Sequence, residues 1–504
     1  MRDKNVKLEF LGKAPELVSY MAMSLRLSPS LTRAIAFTAK NMEGPIGSGL
    51  RRILWNVYTR KYHSVEESFV ASATEWGEWN EDLKRSLFTI KGACLESTEE
   101  GRERSLDKAT EIVVTGTKKR MKDFASSLAT PTTVLFALGI LLPMMIGAML
   151  PMLSLGSLDL SYDVSGPQFS ESGGGFNLVV IVLAMDVVFP AATLLYAMSI
   201  LGKRPGTTSL PRTDCRTDQR KRRRLMVLLV AIGFALATLG ILTFDGLGPY
   251  IILWSMVLPT SVYLISTTYR RRKRRAEMLK MEREFPDAIF QLGSRISEGS
   301  PPERALIETA ESMKDAGIAD FFRKMYYRTI VFGLTLEENL FGDRGLLTKF
   351  PSQTIKATMR TFVEMAKKDS VSAGQMLIRT GEYLKDLQRL DEDTKRQLRT
   401  SVESMKMTSL FFAPIVMGVT FSLYTLLVDT FSNIGSVGDM MPPNIFLMVL
   451  GVYVFLMAAI AMYFVSTIEN GPSRTERRFS MGIGVFVATT IFAISTVVGQ
   501  LTIA

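Results

Sequence analysis

The sequence predicts an all-α polytopic membrane protein with about seven transmembrane helices and two duplicated cytoplasmic helical bundles. Three observations predict it. Apolar residues are 47% of the 504-residue chain, and they cluster in uncharged runs long enough to cross a bilayer instead of spreading over one large core. Lys and Arg alternate between the segments that join these runs. One charged, amphipathic stretch recurs at a constant offset.

Taken in order, residues 1–128 are charged and periodic, with no run that could span a membrane, and read as a cytoplasmic helical bundle. The charged opening Met1-Arg2-Asp3-Lys4 predicts no cleavable signal peptide. Residues 129–269 hold four predicted spans, near 131–153, 176–201, 225–244 and 250–268, with a tight turn at Asp245-Gly246-Leu247-Gly248-Pro249 between the last two. Residues 270–407 form a second cytoplasmic bundle, and 408–504 hold three more spans, near 408–428, 445–465 and 481–501. The segments 202–224, 270–275 and 466–480 are basic, whereas 154–175, 245–249 and 429–444 contain no Lys or Arg. The positive-inside rule then predicts a multi-pass protein of the cytoplasmic membrane, with both bundles and the N-terminus in the cytoplasm and the C-terminus outside.

The most informative stretch begins at Phe285. It reads as two short helices with a sharp corner between them. Ile289, Leu292 and Ile296 share one face. Gly299 is a natural helix stop, Ser300 a cap, Pro301 a first-turn residue, and Glu303 the partner that completes a capping box. Ala305 and Leu306 begin the next buried stripe. An offset of 271 residues carries Pro15-Glu16 onto Pro286-Asp287, Leu25 onto Ile296, Ala34-Ile35 onto Ala305-Leu306 and Trp55 onto Tyr326, without a gap. It also carries Ser64-Val65-Glu66-Glu67 onto Thr335-Leu336-Glu337-Glu338, a predicted capping box in both copies. At the first corner Leu27-Ser28-Pro29-Ser30 replaces Glu298-Gly299-Ser300-Pro301, so a different turn is expected there.

Two such bundles, each running into membrane helices, with Pro-Asp on the first helix and Glu-Gly-x-Pro-Pro-x-x-Ala-Leu at the corner, resemble the type II secretion system F-domain family. Its members are the inner-membrane platform proteins of type II secretion, type IV pili, Tad pili and the archaellum. The residues that carry the resemblance are Pro286, Asp287, Glu298, Gly299, Pro302, Ala305 and Leu306, and it covers about 14–153 and 283–430. Seven spans look more like the archaeal branch than the bacterial one. The resemblance implies a platform for an archaellum or adhesion pilus, with a hexameric secretion ATPase docked on the bundles. It further implies pilin- or archaellin-like subunits drawn from the membrane, a homodimer, and no enzymatic activity or cofactor of the chain's own.

Other features are weighed from the residues themselves. Asp186 is the one ionisable residue deep inside a predicted span; it is either a polar contact or hinge for a passing subunit, or half of a structural hydrogen bond between helices. The run Arg270-Arg271-Arg272-Lys273-Arg274-Arg275 is an ATPase contact or an anchor on anionic lipid, and Arg220–Arg224 has the same two readings. Both runs abut spans, which argues against nucleic acid. Cys94 and Cys215 are too few for a disulfide framework, and His63 lacks the partners a metal or triad would need. No phosphate-loop sequence is present. A multi-span transporter or channel with cytoplasmic regulatory bundles is the competing reading.

Overall fold

The computed structural model describes residues 2–503 except 43, 128, 144, 147–182, 202–218, 244–247, 350–351, 435–441 and 472. Among the described residues every regular element is a helix. The first six are α1 (Arg2–Leu27), α2 (Leu31–Asn41), α3 (Pro45–Tyr58), α4 (Val65–Gly77), α5 (Glu81–Leu95) and α6 (Glu99–Ser127). Then come α7 (Ala129–Phe136), which runs on into a π-helical segment (Ala137–Leu141), and a second π segment (Ala184–Val188) that leads into α8 (Phe189–Leu201). The chain continues with α9 (Gln219–Leu242), α10 (Gly248–Ser297), α11 (Pro302–Ser312), α12 (Ala319–Phe332), α13 (Leu336–Phe341), α14 (Gln353–Ala366) and α15 (Ser370–Met407). A third π segment (Thr408–Phe412) precedes α16 (Ala413–Ile434), α17 (Pro443–Asn470) and α18 (Arg474–Ile503).

Five helical stretches are long and apolar enough to cross a membrane: Arg223–Leu242, Gly248–Ser297, Val402–Thr430, Pro443–Asn470 and Arg474–Thr502. They coincide with the last five predicted spans. The first two predicted spans fall partly outside the described residues, and the predicted outer loop 154–175 wholly, together with most of the basic loop 202–224 and most of the turn at 245–249. What is described there is α7 with its π segment and a shorter apolar helix, Met185–Leu201.

The chain folds as two compact units. One contains Met1–Ala125 and Lys273–Gln397, so the two charged, amphipathic stretches belong to a single body. Its first half packs Leu17, Met21, Ile35, Ile53, Phe69 and Leu87 into a core that also takes in Ala357 of α14. Its second half buries Phe285, Ile289, Leu292, Phe322, Met325 and Phe362. The predicted stripe Ile289, Leu292, Ile296, Ala305 and Leu306 is fully buried.

The corner at Gly299 differs from expectation in two ways. Its first arm is not a short helix but the last turns of α10, which is 50 residues long. The Arg-Lys run at 270–275 does not end this helix, because Arg and Lys are good helix formers. The stop itself is where the glycine predicts it. Gly299 has φ +97°, its N–H donates to the Ile296 carbonyl, and the Ser300 N–H donates to the Arg295 carbonyl. This pair of bonds is a Schellman ending. It takes up the Ser300 backbone, so the next helix starts one residue later than predicted. Pro301 is the N-cap, Pro302 opens α11, and neither Ser300 nor Glu303 makes the predicted capping box. The corner is held instead by Glu308, which accepts from Arg295 Nη1 and Arg304 Nε at 2.8 Å each. At the first corner no residue is left-handed, and Ser30 caps α2 by accepting from the Arg33 N–H.

The second capping motif forms as predicted at Thr335. Its Oγ1 accepts from the Glu338 N–H at 3.3 Å, and Glu338 Oε2 accepts from the Thr335 N–H at 3.2 Å. At Ser64 only half of it forms. Ser64 accepts from the Glu67 N–H, but the Glu67 carboxylate reaches the N–H of exposed His63 instead of that of Ser64.

The other unit contains Ser126–Lys203, Cys215–Arg272 and Leu398–Ala504 as far as these are described. Its helices approach closely through small residues, as membrane helices do. Ser261 Oγ donates to the Gly482 carbonyl at 2.6 Å, and Ser495 Oγ donates to the Ile415 carbonyl at 3.0 Å. A side chain at Gly418 would run into Ser495, and one at Gly499 into Ser422.

Candidate functional site

In the apolar unit, α17 packs against α8, α16 and α18 and carries the buried Tyr453 and Phe446. All three π segments bear on this helix. Tyr453 Oη donates to the Gly139 carbonyl in the first at 2.5 Å, and the second and third pack directly against α17. A π segment holds an extra residue in the helical turn and is frequent at functional sites. Beside them lies a cavity of about 290 Å³ between α7, α8, α17 and the junction of α15 with the third π segment. Hydroxyls of Thr133, Thr193, Ser404, Thr408 and Ser409 share its wall with Met457. Thr193 is spoken for, since its Oγ1 donates to the Phe189 carbonyl at 2.7 Å.

Asp186 sits in the middle of the second π segment, next to the fully buried Met185. Among the described residues its buried Oδ1 has no hydrogen-bond partner, and Tyr453 lies within its electrostatic reach. The reading of Asp186 as half of an interhelical hydrogen bond therefore finds no partner atom at Oδ1 among the described residues. Asp186→Leu is expected to leave the unit as stable as before or stabilise it by about 1–3 kcal/mol, the cost of an unsatisfied buried polar atom. Thermal unfolding of the full chain in detergent checks this. A lowered midpoint would mean that Asp186 has a structural partner after all.

The predicted basic run lies within α10. Arg272 is engaged there: its Nε is 3.2 Å from Glu476 Oε2, and its guanidinium lies 4.1 Å over the Phe479 ring. Arg270, Lys273 and Arg274 are exposed, Arg271 is half-buried, and Arg275 lies within electrostatic reach of Glu282. The run is thus an internal helix segment tied to the start of α18 as well as a charged surface. In the other basic run Arg223 and Arg224 are exposed, and the remaining side chains lie outside the described residues.

The Pro-Asp pair of α10 is read by α15. Proline has no N–H, so Pro286 leaves the Glu282 carbonyl without its helical donor. Gln388 Nε2 donates to that carbonyl at 3.0 Å, and one turn earlier Lys385 Nζ meets Asp287 Oδ1 at 2.7 Å. In the first half Pro15 is buried inside α1, and its own carbonyl accepts from Tyr383 Oη of α15 at 2.6 Å. Of the other motif residues, Glu298 is exposed at the corner, while Ala305 and Leu306 are core.

A second polar cluster was not singled out by the sequence. Glu16 accepts from Tyr20 Oη at 3.3 Å, and Glu282 lies within electrostatic reach of it. Glu16 keeps some exposed area, yet protein atoms crowd it so closely that burial is the largest influence on its carboxyl and pushes it up from the usual 4.5. Lys13 opposes that rise. Burial also pushes Glu282 up, against a Ser352 hydrogen bond. Tyr20 and Tyr383 are held well above the usual tyrosine range by burial. The counterpart of Glu16 at the 271-residue offset is Asp287, which is exposed and paired. Nothing local to either residue separates the two environments.

No protein-family model, curated protein or solved structure matches the chain.

Proposed function

We propose that the chain is the non-enzymatic membrane platform of an archaeal type IV-pilus-like filament machine, an archaellum or an adhesion pilus. On this reading it has seven spans and two duplicated cytoplasmic bundles, and it lies in the cytoplasmic membrane with its C-terminus outside. A hexameric secretion ATPase docks on the bundles, and pilin- or archaellin-like subunits are its partners in the bilayer. The observation that carries the reading is the gap-free repeat from Pro15 to Glu67 and from Pro286 to Glu338, with the Pro-Asp pair and the Glu298–Leu306 corner. Two features of the geometry support it. The chain passes without a break from an apolar stretch into the soluble unit along α10. The Pro-Asp pair is the point at which α15 grips that helix. Deleting the gene is expected to remove surface filaments counted by electron microscopy, and re-expression to restore them. Filaments that persist in the deletion strain would rule the reading out.

The cavity and the unpartnered Asp186 oxygen favour a transporter or channel as the second reading. The two readings part on solute flux. Purified chain in proteoliposomes should show none if it is a platform.

A further inference from the structure

Exposed large apolar side chains of the soluble unit include single ones such as Leu95 and Val371, but they group in two places, each at the C-terminal end of a third helix. At the end of α3, Trp55 is 66% exposed and Tyr58 86%. At the end of α12, Tyr327, Ile330, Val331 and Phe332 are between 54% and 71% exposed. The same spacing occurs at both, one residue out of register with the 271-residue repeat. Arg51, Trp55 and Tyr58 fall on one helical face, and so do Arg323, Tyr327 and Ile330. Charge repeats as well. No Asp or Glu occurs from Gly44 to Tyr62 or from Phe321 to Leu336. Arg51, Arg52, Arg60 and Lys61 are exposed, and none is in an ion pair among the described residues. At the second end Arg323 is paired with Asp320 at 3.1 Å, and Lys324 is exposed beside Tyr327.

Both places lie at the end of the unit away from the points where the chain leaves it. Ile318 N–H donates to Glu284 Oε2 at 3.1 Å, so α12 starts about 16 Å along α10 from the entry at Lys273, on the entry side of Ser297. It ends beside α13, where Glu337 pairs with Lys367, and the following turn leads to Gly374, packed on Ser297. Ser297 is about 36 Å along α10 from Lys273 at 1.5 Å per residue. In the first half, Arg120 near the exit at Ala125 binds Asn80 and Asp82 at the start of α5. The preceding α4 therefore begins at the opposite end, next to Tyr58. Arg26 and Asp107, 2.5 Å apart, put the end of α1 far up α6 as well.

Exposed apolar patches rimmed by charge mark interaction sites, and basic flanks select an acidic counterpart. Aliphatic Ile330 and Val331 offer nothing for bases to stack on, which favours a protein over a nucleic acid. We propose that these two helix ends form the docking face for a soluble protein partner that presents acidic and apolar side chains together. The proposal rests on the platform reading, in which the bundles lie in the cytoplasm.

The test uses the full chain in nanodiscs of neutral lipid. The first probe is a fluorescent peptide of repeated Glu-Glu-Phe, read by anisotropy beside oligothymidine and anionic vesicles. The wild type should bind the peptide in preference to both. Trp55→Ala with Tyr58→Ala, Arg52→Glu with Lys61→Glu, and Ile330→Ser with Phe332→Ser should each weaken binding about tenfold or more, as for interface anchors. All six residues are exposed, and unchanged melting midpoints verify the folds. Equal binding by wild type and variants, or preference for oligothymidine or vesicles, would overturn the proposal. The second probe is a purified hexameric secretion ATPase from the source organism. If it binds wild type and variants alike, the docking face is wrong and the platform reading stands. If the peptide results hold but no ATPase binds the wild type, the face stands and the platform reading falls.

Discussion

Gly374→Leu is expected to destabilise the soluble unit by about 3 kcal/mol or more, the upper part of the range for overpacking. The reason lies in how α10 and α15 meet. A Cβ at Gly374 would stand 2.7 Å from the Ser297 nitrogen and 2.8 Å from the Gly293 carbonyl oxygen. A Cβ at Gly293 would stand 2.6 Å from the Gly374 carbonyl oxygen, and one at Gly381 2.9 Å from the Pro286 carbonyl oxygen. These are backbone atoms, so no rotamer change relieves the clash. Gly374 and Gly381 are seven residues apart on α15, two turns along one face. The helices touch backbone to backbone along the seam where Lys385 and Gln388 read the Pro-Asp pair. For a unit of this size the loss corresponds to a fall in melting midpoint of roughly 6–12 °C, with Gly374→Ala in between. Gly92→Ala is the control. It sits inside α5, and a methyl added there would meet nothing within 4 Å, so it should gain up to about 1 kcal/mol from helix propensity. An unchanged midpoint for Gly374→Leu would mean that the seam opens at no cost and does not hold the two helices.

Glu16→Gln is expected to change the pH dependence of stability, with a sign set by burial. The Glu16 carboxyl is raised in the folded protein, so between 4.5 and its folded value the native state binds more protons than the unfolded chain. The contribution of Glu16 to stability is therefore best below 4.5 and is lost as pH rises through that window. Glu282 of α10 acts in the same direction, and Tyr383 of α15 also faces Glu16. On α1 itself Lys13 opposes the shift and Tyr20 hydrogen-bonds the carboxyl, so the glutamine must keep that bond. Glu308, Glu337, Asp369 and Asp393 are held low by hydrogen-bonded partners and give the opposite slope in acid. The difference between variant and wild type isolates Glu16. The variant should melt higher near neutral pH, with the advantage shrinking toward 4.5. A difference that stays constant across this range would mean that Glu16 keeps its proton affinity unchanged on folding.

Much of the fold was legible because its signals are local. An uncharged apolar run is its own argument for a spanning helix, and five of these appear as long helices. Gly299 ends α10 because glycine alone adopts φ +97° at little cost, and that needs no distant neighbour. The box at Thr335 closes within four residues for the same reason. The errors also began locally. Ser300 has the chemistry of a cap, but its backbone was already committed to closing the preceding helix. The charge run at 270–275 marks the end of a span, but the same residues are good helix formers and carry the helix on.

By itself, then, the sequence determined which stretches are helical, where glycine stops one, and which runs are apolar enough for a membrane. Only the tertiary structure decided what those helices do to one another. Pro15-Glu16 and Pro286-Asp287 are nearly the same words, yet Tyr383 finds the first proline, Lys385 the second pair, and Glu16 alone is crowded by protein. The same holds for the π segments gathered on α17 and for the orphaned oxygen of Asp186. The physical reason is range. Caps and stops depend on atoms within a turn, whereas burial and partnership depend on atoms from residues hundreds of positions away.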